Sequence, residues 1–347
     1  MSLTQLSLFQ YTVDLNRLLP VGKQRIDQRH GLVVAATLVH DEVERTEYVE
    51  VSPLSGVDVD GNLIKGFSQH SLTQTSEQLH QHLTQLLCQP VDALLDIAND
   101  TKNNAIAFGL SLLHAKLMGS LDGHHLDTLT IPLIYRNQDE PLKAVAERVA
   151  ALPKSVHAVK VKVAQTSLED EIQLIHQILA IRPDLKLRLD ANQGFELQQA
   201  IDFIACIPLH AIEYIEEPCQ NPADNPALYQ AIGAPWALDE SLNDPMYQFE
   251  MQPGLCAIII KPMLLGSLEA LQSLQQQADE HGVRTIISSS LEASLGIADL
   301  SRLASIVTPD EIPGIDTLAA FSQDVLCSSG KAQRLNLNDL QCLLALG

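Results

Sequence analysis

Residues 158–165 read AVKVKVAQ. In a strand, Lys160 and Lys162 share one parity and Val159, Val161 and Val163 the other, so both ammonium groups project from one face. A lysine beside another cation, and close to a divalent metal, loses its proton more readily, which is what a lysine base near neutral pH requires. Further along, LKLRLDAN ends in Asp190 and Asn192, IEYIEEP carries Glu216 and Glu217, WALDES carries Asp239 and Glu240, and AIIIKP reaches Lys261. The order is a lysine pair, three carboxylate positions, then a lysine. Converging carboxylates repel unless a cation lies between them, and an all-oxygen set favours a hard ion such as Mg²⁺. A neutral lysine beside that ion is equipped to remove a proton α to a carboxylate, with the resulting enediolate neutralised in place.

The elements that must position these residues alternate. From about residue 131, β-rich stretches (HAVKVKVA, LKLRLDAN, AIEYIEEP, CAIIIKP, VRTIISSS) are separated by helix-length stretches such as SLEDEIQLIHQILAIRP and ELQQAIDFIACI, and a last strand is expected near 311–315. A series of βα units implies a parallel sheet, as a closed (β/α) barrel or an open doubly wound sheet. The polar residues recur at intervals of about 22 to 28, close to the roughly thirty residues a barrel spends on each unit, and each stands at a C-terminal strand end, where barrels carry their chemistry. Singly the motifs are ordinary: K-x-K is usually a solvated strand, D-A-N a turn or cap, D-E-S a helix start. Their succession on consecutive units is what separates them from chance.

A barrel takes roughly 250 of the 347 residues. The first hundred differ from the rest, with LSLFQYTVDL, GLVVAATLVH and EYVEVSP reading as antiparallel strands and SEQLHQHLTQLLCQ as a helix. The expected organisation is an α+β capping domain over 1–100, joined by the C-terminal segment 322–347, and a barrel over 101–321. The final run DLQCLLALG is expected to be helical and to fold back on the cap.

With 46% apolar positions the chain buries a large core, and its net charge of -21 repels nucleic acid and anionic membranes, so neither is expected as a partner. Six scattered cysteines without a C-x-x-C pair fit a reduced, cytoplasmic setting, and the first residues lack the pattern of a targeting signal. The same negative field repels an anionic substrate. The site itself must therefore supply the positive charge, and the three lysines with a divalent ion do so.

KVK, LDAN, EEP, DES and IKP in this order resemble the enolase superfamily, in its muconate-lactonising branch, for which lysine bases and Mg²⁺-stabilised enediolates are established chemistry. Within it, IEYIEEPCQNPAD, WALDESL, IIKPMLLGSLE, ISSSLEASLGIADLSRLA and TPDEIPGIDT resemble the o-succinylbenzoate synthase family almost throughout the barrel. The resemblance implies a modified TIM barrel with an N-terminal cap. It implies Mg²⁺, or Mn²⁺ in substitution, on Asp190, Glu216 and Asp239. Lys162 would be the acid/base, Lys160 its pKa-lowering neighbour, and Lys261 an electrostatic stabiliser on the opposite face. The implied reaction is a syn-dehydration of a small dicarboxylate, 2-succinyl-6-hydroxy-2,4-cyclohexadiene-1-carboxylate, in menaquinone synthesis. A monomer and a homo-oligomer fit the chain equally.

Ser288, Ser289 and Ser290 are expected to grip the succinyl carboxylate, with Asn192 beside the site and Gly314 allowing close approach. Lys23, Arg25 and Arg29 are further candidates for contact with a dianion. The family's uninterrupted SPLPGFS loop is split here by VDVDGNLIK. Asp58, Asp60 and Asn62 in that insertion have calcium-loop spacing, but Leu63 and Gln69 stand where Gly and Glu are needed, so a D-G hairpin is expected. Two other readings compete: an N-acylamino acid racemase or dipeptide epimerase using Lys162 and Lys261 as opposing bases, and a barrel that binds metal and ligand without turnover.

Overall fold

The computed structural model describes residues 1–22, 24–41, 43–124, 131–136 and 140–347. Three strands, β1 (Ser2–Val21), β2 (Gln24–His40) and β3 (Val43–Val51), form an antiparallel meander. One face buries Leu6, Leu8, Leu32, Val34, Val49 and Val51 against helices α1 (Leu72–Leu86), α2 (Ala93–Asp100) and α3 (Asn104–Leu117). A capping box starts α1: the Ser71 hydroxyl accepts from the Gln74 amide while the Gln74 side chain accepts from the Ser71 amide. Pairing of β1 with β2 breaks between Asp14 and Leu19, and Leu15 there bridges Phe321 instead. Such a break turns a side chain away from its own sheet.

The βα series follows as β4 (Leu133–Ile134), α4 (Leu142–Ala150), β5 (Ala158–Lys162), α5 (Leu168–Ile181), β6 (Lys186–Asp190), α6 (Leu197–Ala205), β7 (Ile212–Glu216) and α7 (Asn225–Ile232). It continues through β8 (Trp236–Leu238), β9 (Leu255–Ile260), α8 (Pro262–Leu265), α9 (Leu268–Asp279), β10 (Arg284–Ile287) and α10 (Ser294–Val307). Strands β4 to β10 make one parallel sheet in chain order, the barrel expected from the alternation. Val159, Val161, Leu187 and Leu189 are fully buried on the face that packs on the helices, so the opposite parity looks inward. The strand expected near 311–315 shrinks to a single bridge between Ser288 and Gly314. Pro313 beside it has no N–H to extend the ladder.

At the C-terminus, β11 (Asp324–Val325) and β12 (Arg334–Leu335) pair with each other, and β13 (Gln341–Leu346) pairs antiparallel with β1. The run expected to be helical is thus a strand, although it does return to the cap sheet. Six residues are too few for a stable helix, whereas the edge of β1 offers a ladder for every backbone group. Among the described residues no helix is long and apolar enough to cross a membrane.

Cap and barrel are joined by buried charge. Glu50 of β3 accepts from the Ala293 and Gly296 amides at the start of α10 (both 2.9 Å), from Tyr11 (2.5 Å) and from Ser52 (2.7 Å). A carboxylate at a helix N-terminus meets both free amides and the positive end of the dipole. Lys116 of α3 lies 2.8 Å from Asp299 of α10, and both are buried. Lys116→Met should destabilise the protein by about 3 kcal/mol, because it strands a buried carboxylate. Urea unfolding measures this, and Lys116→Met with Asp299→Leu should recover most of the loss.

Candidate active site

Register puts the polar residues at one level. Lys162 of β5 pairs with Asp190 of β6, and Asp190 with Glu216 of β7. The turns that follow these strands are held tightly: the Glu171 carboxylate accepts from the amides of Ala164, Gln165 and Thr166 at 2.6–2.8 Å, closing the turn after β5. Ala164, Asn192, Gln193 and Glu217 all take positive φ there, a conformation non-glycine residues adopt only when the surroundings enforce it. Of the EEP pair, Glu217 turns away and accepts from the Asp239 and Ser241 amides (3.1 and 2.9 Å). Glu216 is left facing inward, and Glu217 is a support for the segment that carries Asp239.

Inside the barrel mouth, the Lys160 ammonium lies 2.8 Å from Asp190 Oδ2 and 2.5 Å from Glu216 Oε2. Lys162 lies 2.7 Å from the same Asp190 oxygen and donates to Asn192 Oδ1 at 2.6 Å. Opposite, Lys261 donates to both oxygens of Asp239 at 2.6 and 2.7 Å. Asn192 donates in turn to Glu240 Oε1 at 2.6 Å. These residues line a cavity of about 390 Å³, except for Asp239, which Lys261 holds behind its wall.

The electrostatics follow from burial. Burial acts to lower the pKa of Lys160, but Asp190, Glu216 and Asp239 outweigh it and raise that pKa well above the usual lysine range. Lys261 is raised for the same reason, by Asp239 and Glu240 against burial. Glu216 is pushed up to about 7, chiefly by burial, with Lys160 opposing and the other carboxylates adding. Burial also drives Glu240 up to about 8, with Asp239 adding. Asp190 stands between the two ammonium groups, 2.8 Å from Lys160 and 2.7 Å from Lys162.

Among the described residues, no three His, Cys, Asp or Glu side chains stand close enough together to hold a metal ion. Lysine ammonium groups stand between the carboxylates instead. Two carboxylate oxygens still ask for a cation or a donor: Asp190 Oδ1 and Glu240 Oε2 are buried without any partner. With Glu216 and Asp239, Asp190 offers hard oxygen donors suited to Mg²⁺.

Residues 142–321 match the family model described as enolase C-terminal domain-like. The o-succinylbenzoate synthase of Pectobacterium atrosepticum is 33% identical over 325 residues, covering 93% of each chain. The chain belongs to the o-succinylbenzoate synthase family of the enolase superfamily. Solved structures share the fold at lower identity. One is o-succinylbenzoate synthase from Thermosynechococcus elongatus with Mg in its active site (TM-score 0.68, 21% identity, 90% of this chain and 93% of that one). Another is a dipeptide epimerase from Cytophaga hutchinsonii with Mg and D-Ala-L-Val (TM-score 0.72, 20% identity, 93% and 89%).

Seen within this family, the remaining expected residues divide. Ser288, Ser289 and Ser290 line the cavity, but their hydroxyls are engaged: Ser288 donates to Gly314 O (3.0 Å), Ser289 pairs with Thr317 (3.3 Å) and Ser290 donates to Glu292 (2.8 Å). Gly314 also lines it, yet a Cβ there would stand 2.8 Å from Ser288 Oγ, so the missing side chain makes room for the serine. Arg29 does not face the cavity. It is buried and donates to the carbonyls of Ser52, Pro53, Ser290 and Leu291, tying cap to barrel. Arg25 is exposed beside the insertion, and Lys23 lies outside the described residues. The insertion is a hairpin closed by a Val57–Leu63 bridge, with Asp58 accepting from the Asp60 and Asn62 amides, and none of it is among the described residues lining the cavity.

The apolar roof, Leu19, Val21, Leu54 and Phe67 from the cap, escaped sequence reasoning, as did Arg17 and Tyr135 at the rim. Leu54 and Phe67 stand in the two halves of the split SPLPGFS loop, whereas Leu19, Val21, Arg17 and Tyr135 belong to no motif. Only a β1 strand that ends in Leu19 and Val21 hinted at them.

Proposed function

We propose that the protein is an o-succinylbenzoate synthase, a hydro-lyase that dehydrates 2-succinyl-6-hydroxy-2,4-cyclohexadiene-1-carboxylate in menaquinone synthesis. The observation that carries the reading is a cavity with a lysine pair on one wall, a lysine on the other and buried carboxylates between, in a chain of this family. Asp190, Glu216 and Asp239 would hold Mg²⁺. Bound there, the ion would supply positive charge to the substrate carboxylate as it takes on enediolate character.

This chain's own residues do the rest. Lys162 takes the proton from the ring carbon bearing the carboxylate. It then returns that proton to the hydroxyl on the same face, so that the C–O bond breaks with loss of water and the ring becomes aromatic. Lys160 adds positive charge beside the enediolate, and Lys261 does so from the opposite face. Asn192 orients the Lys162 ammonium through its 2.6 Å contact. The cap roof excludes water, which strengthens each of these interactions. Six free cysteines support a reducing, cytoplasmic setting.

Lysines on both walls also suit a two-base racemase, the competing reading. An absorbance assay with Mg²⁺ separates the two: the expected result is formation of o-succinylbenzoate with kcat in the ordinary range of about 1–10³ s⁻¹. No dehydration, with racemisation of an N-succinyl amino acid, would replace this reading by the racemase.

A further inference from the structure

The proposed substrate is a dianion, and the two carboxylates have different needs. The ring carboxylate belongs at the lysines and the ion. The succinyl carboxylate must end elsewhere in a cavity whose far wall is largely apolar. Leaving it there without a charged or hydrogen-bonding partner costs several kcal/mol.

The cations lining the cavity are mostly committed. Lys160, Lys162 and Lys261 are paired with Asp190, Glu216 and Asp239. Arg188 is paired with Glu213 at 3.1 Å, and Arg148 with Glu140. Arg17 differs: among the described residues it has no carboxylate partner, and its guanidinium lies over the Tyr135 ring, 5.0 Å from the centroid. The hydroxyls of Ser288 and Ser290 already donate within the protein, and those of Ser289 and Thr317 share one hydrogen bond, so the neutral hydroxyls there carry no charge to match a carboxylate.

The backbone explains how Arg17 reaches the site. It sits where β1 leaves β2, on the segment between Asp14 and Leu19. That segment is pinned to the barrel side by the Leu15–Phe321 bridge and by Asn16 Nδ2, which donates to Phe321 O at 2.9 Å. Tyr135, just past β4, is the barrel's half of the stack. A planar guanidinium held over an aromatic face keeps its N–H edges free to meet a carboxylate side by side.

Resting on the dehydratase reading, we propose that Arg17 is a specificity-determining residue that receives the substrate's distal carboxylate, positioned by Tyr135.

Product binding tests this without turnover. Titration calorimetry compares 2-succinylbenzoate with 2-butanoylbenzoate, which has the same shape but lacks the distal carboxylate, on the Mg²⁺-loaded protein. The wild type should prefer the dicarboxylate by roughly ten- to a hundredfold, the range of a charge-assisted hydrogen bond. Arg17→Met, which keeps the stem against Tyr135, should bind both alike. Arg17→Lys should keep part of the preference, and in turnover Arg17→Met should raise KM more than it lowers kcat. A preference that survives in Arg17→Met, or a wild type that binds the two compounds equally, overturns the assignment. If the wild type dehydrates its substrate in the same preparation, that failure falls on Arg17 alone. A wild type that binds neither compound overturns both this assignment and the dehydratase reading.

Discussion

Lys162→Ala is expected to lower turnover by roughly 10³- to 10⁴-fold while the fold and Mg²⁺ affinity persist. On the proposed mechanism Lys162 serves twice in one cycle, as base to the ring carbon and as acid to the departing hydroxyl, so no partial role would survive its loss. Its side chain is part-buried and carries no share of the hydrophobic core. Asp190 keeps Lys160 at 2.8 Å as a counter-charge, so removing one ammonium does not strand the carboxylate. Far-UV circular dichroism should be unchanged, and 2-succinylbenzoate should still bind. Retained turnover would move the acid/base role to another group, and Lys261 across the cavity is the first to test.

Stripping the divalent ion should be as severe. Dialysis against a chelator is expected to reduce activity by about 10³-fold or more, with recovery on adding Mg²⁺ or Mn²⁺, because on the proposed mechanism the enediolate would lose its main source of positive charge. A second readout needs no activity. An ion that binds only the native state at a hundred times its Kd adds about 2.7 kcal/mol of stability, seen as a rise in Tm. Glu216→Gln should abolish that rise. Glu216 sits 2.5 Å from Lys160. An ion held by Glu216 competes with that contact, so the Tm response should be smaller than the bare donor set would suggest. No Tm response in the unmodified protein would rule out these carboxylates as the metal site.

The barrel was legible because two periods coincide in the chain. Val159, Val161 and Leu185, Leu187, Leu189 mark the outward parity of their strands, and the βα units recur at a spacing that puts Lys162, Asp190, Glu216 and Lys261 at strand ends. The cap strands were legible for the same reason. The C-terminal run was misread because LLAL has no strong period, and an unpaired β1 edge elsewhere in the fold decided its conformation. The strand expected around Gly314 failed locally, at Pro313.

At the site, chemistry that depends on residue order could be read from the chain, whereas chemistry that depends on angles and partners could not. Nothing in EEP says which glutamate turns inward; the Asp239 and Ser241 amides capture Glu217 and settle it. Arg29 looked available for a substrate and is instead spent on four loop carbonyls.

By itself, then, the sequence determined the parallel barrel, the lysines and carboxylates at its mouth, and the family to which they belong, because these rest on periodicity and on short strings that survive without neighbours. Tertiary structure alone decided that Asp190 lies between the two ammonium groups, that the serine hydroxyls point at protein acceptors, and that the break in β1 hangs Arg17 over Tyr135 at the cavity rim. Those outcomes depend on contacts between residues up to hundreds of positions apart, and a hydrogen bond or ion pair at 3 Å is set by the packing that brings its partners together, which no local pattern encodes.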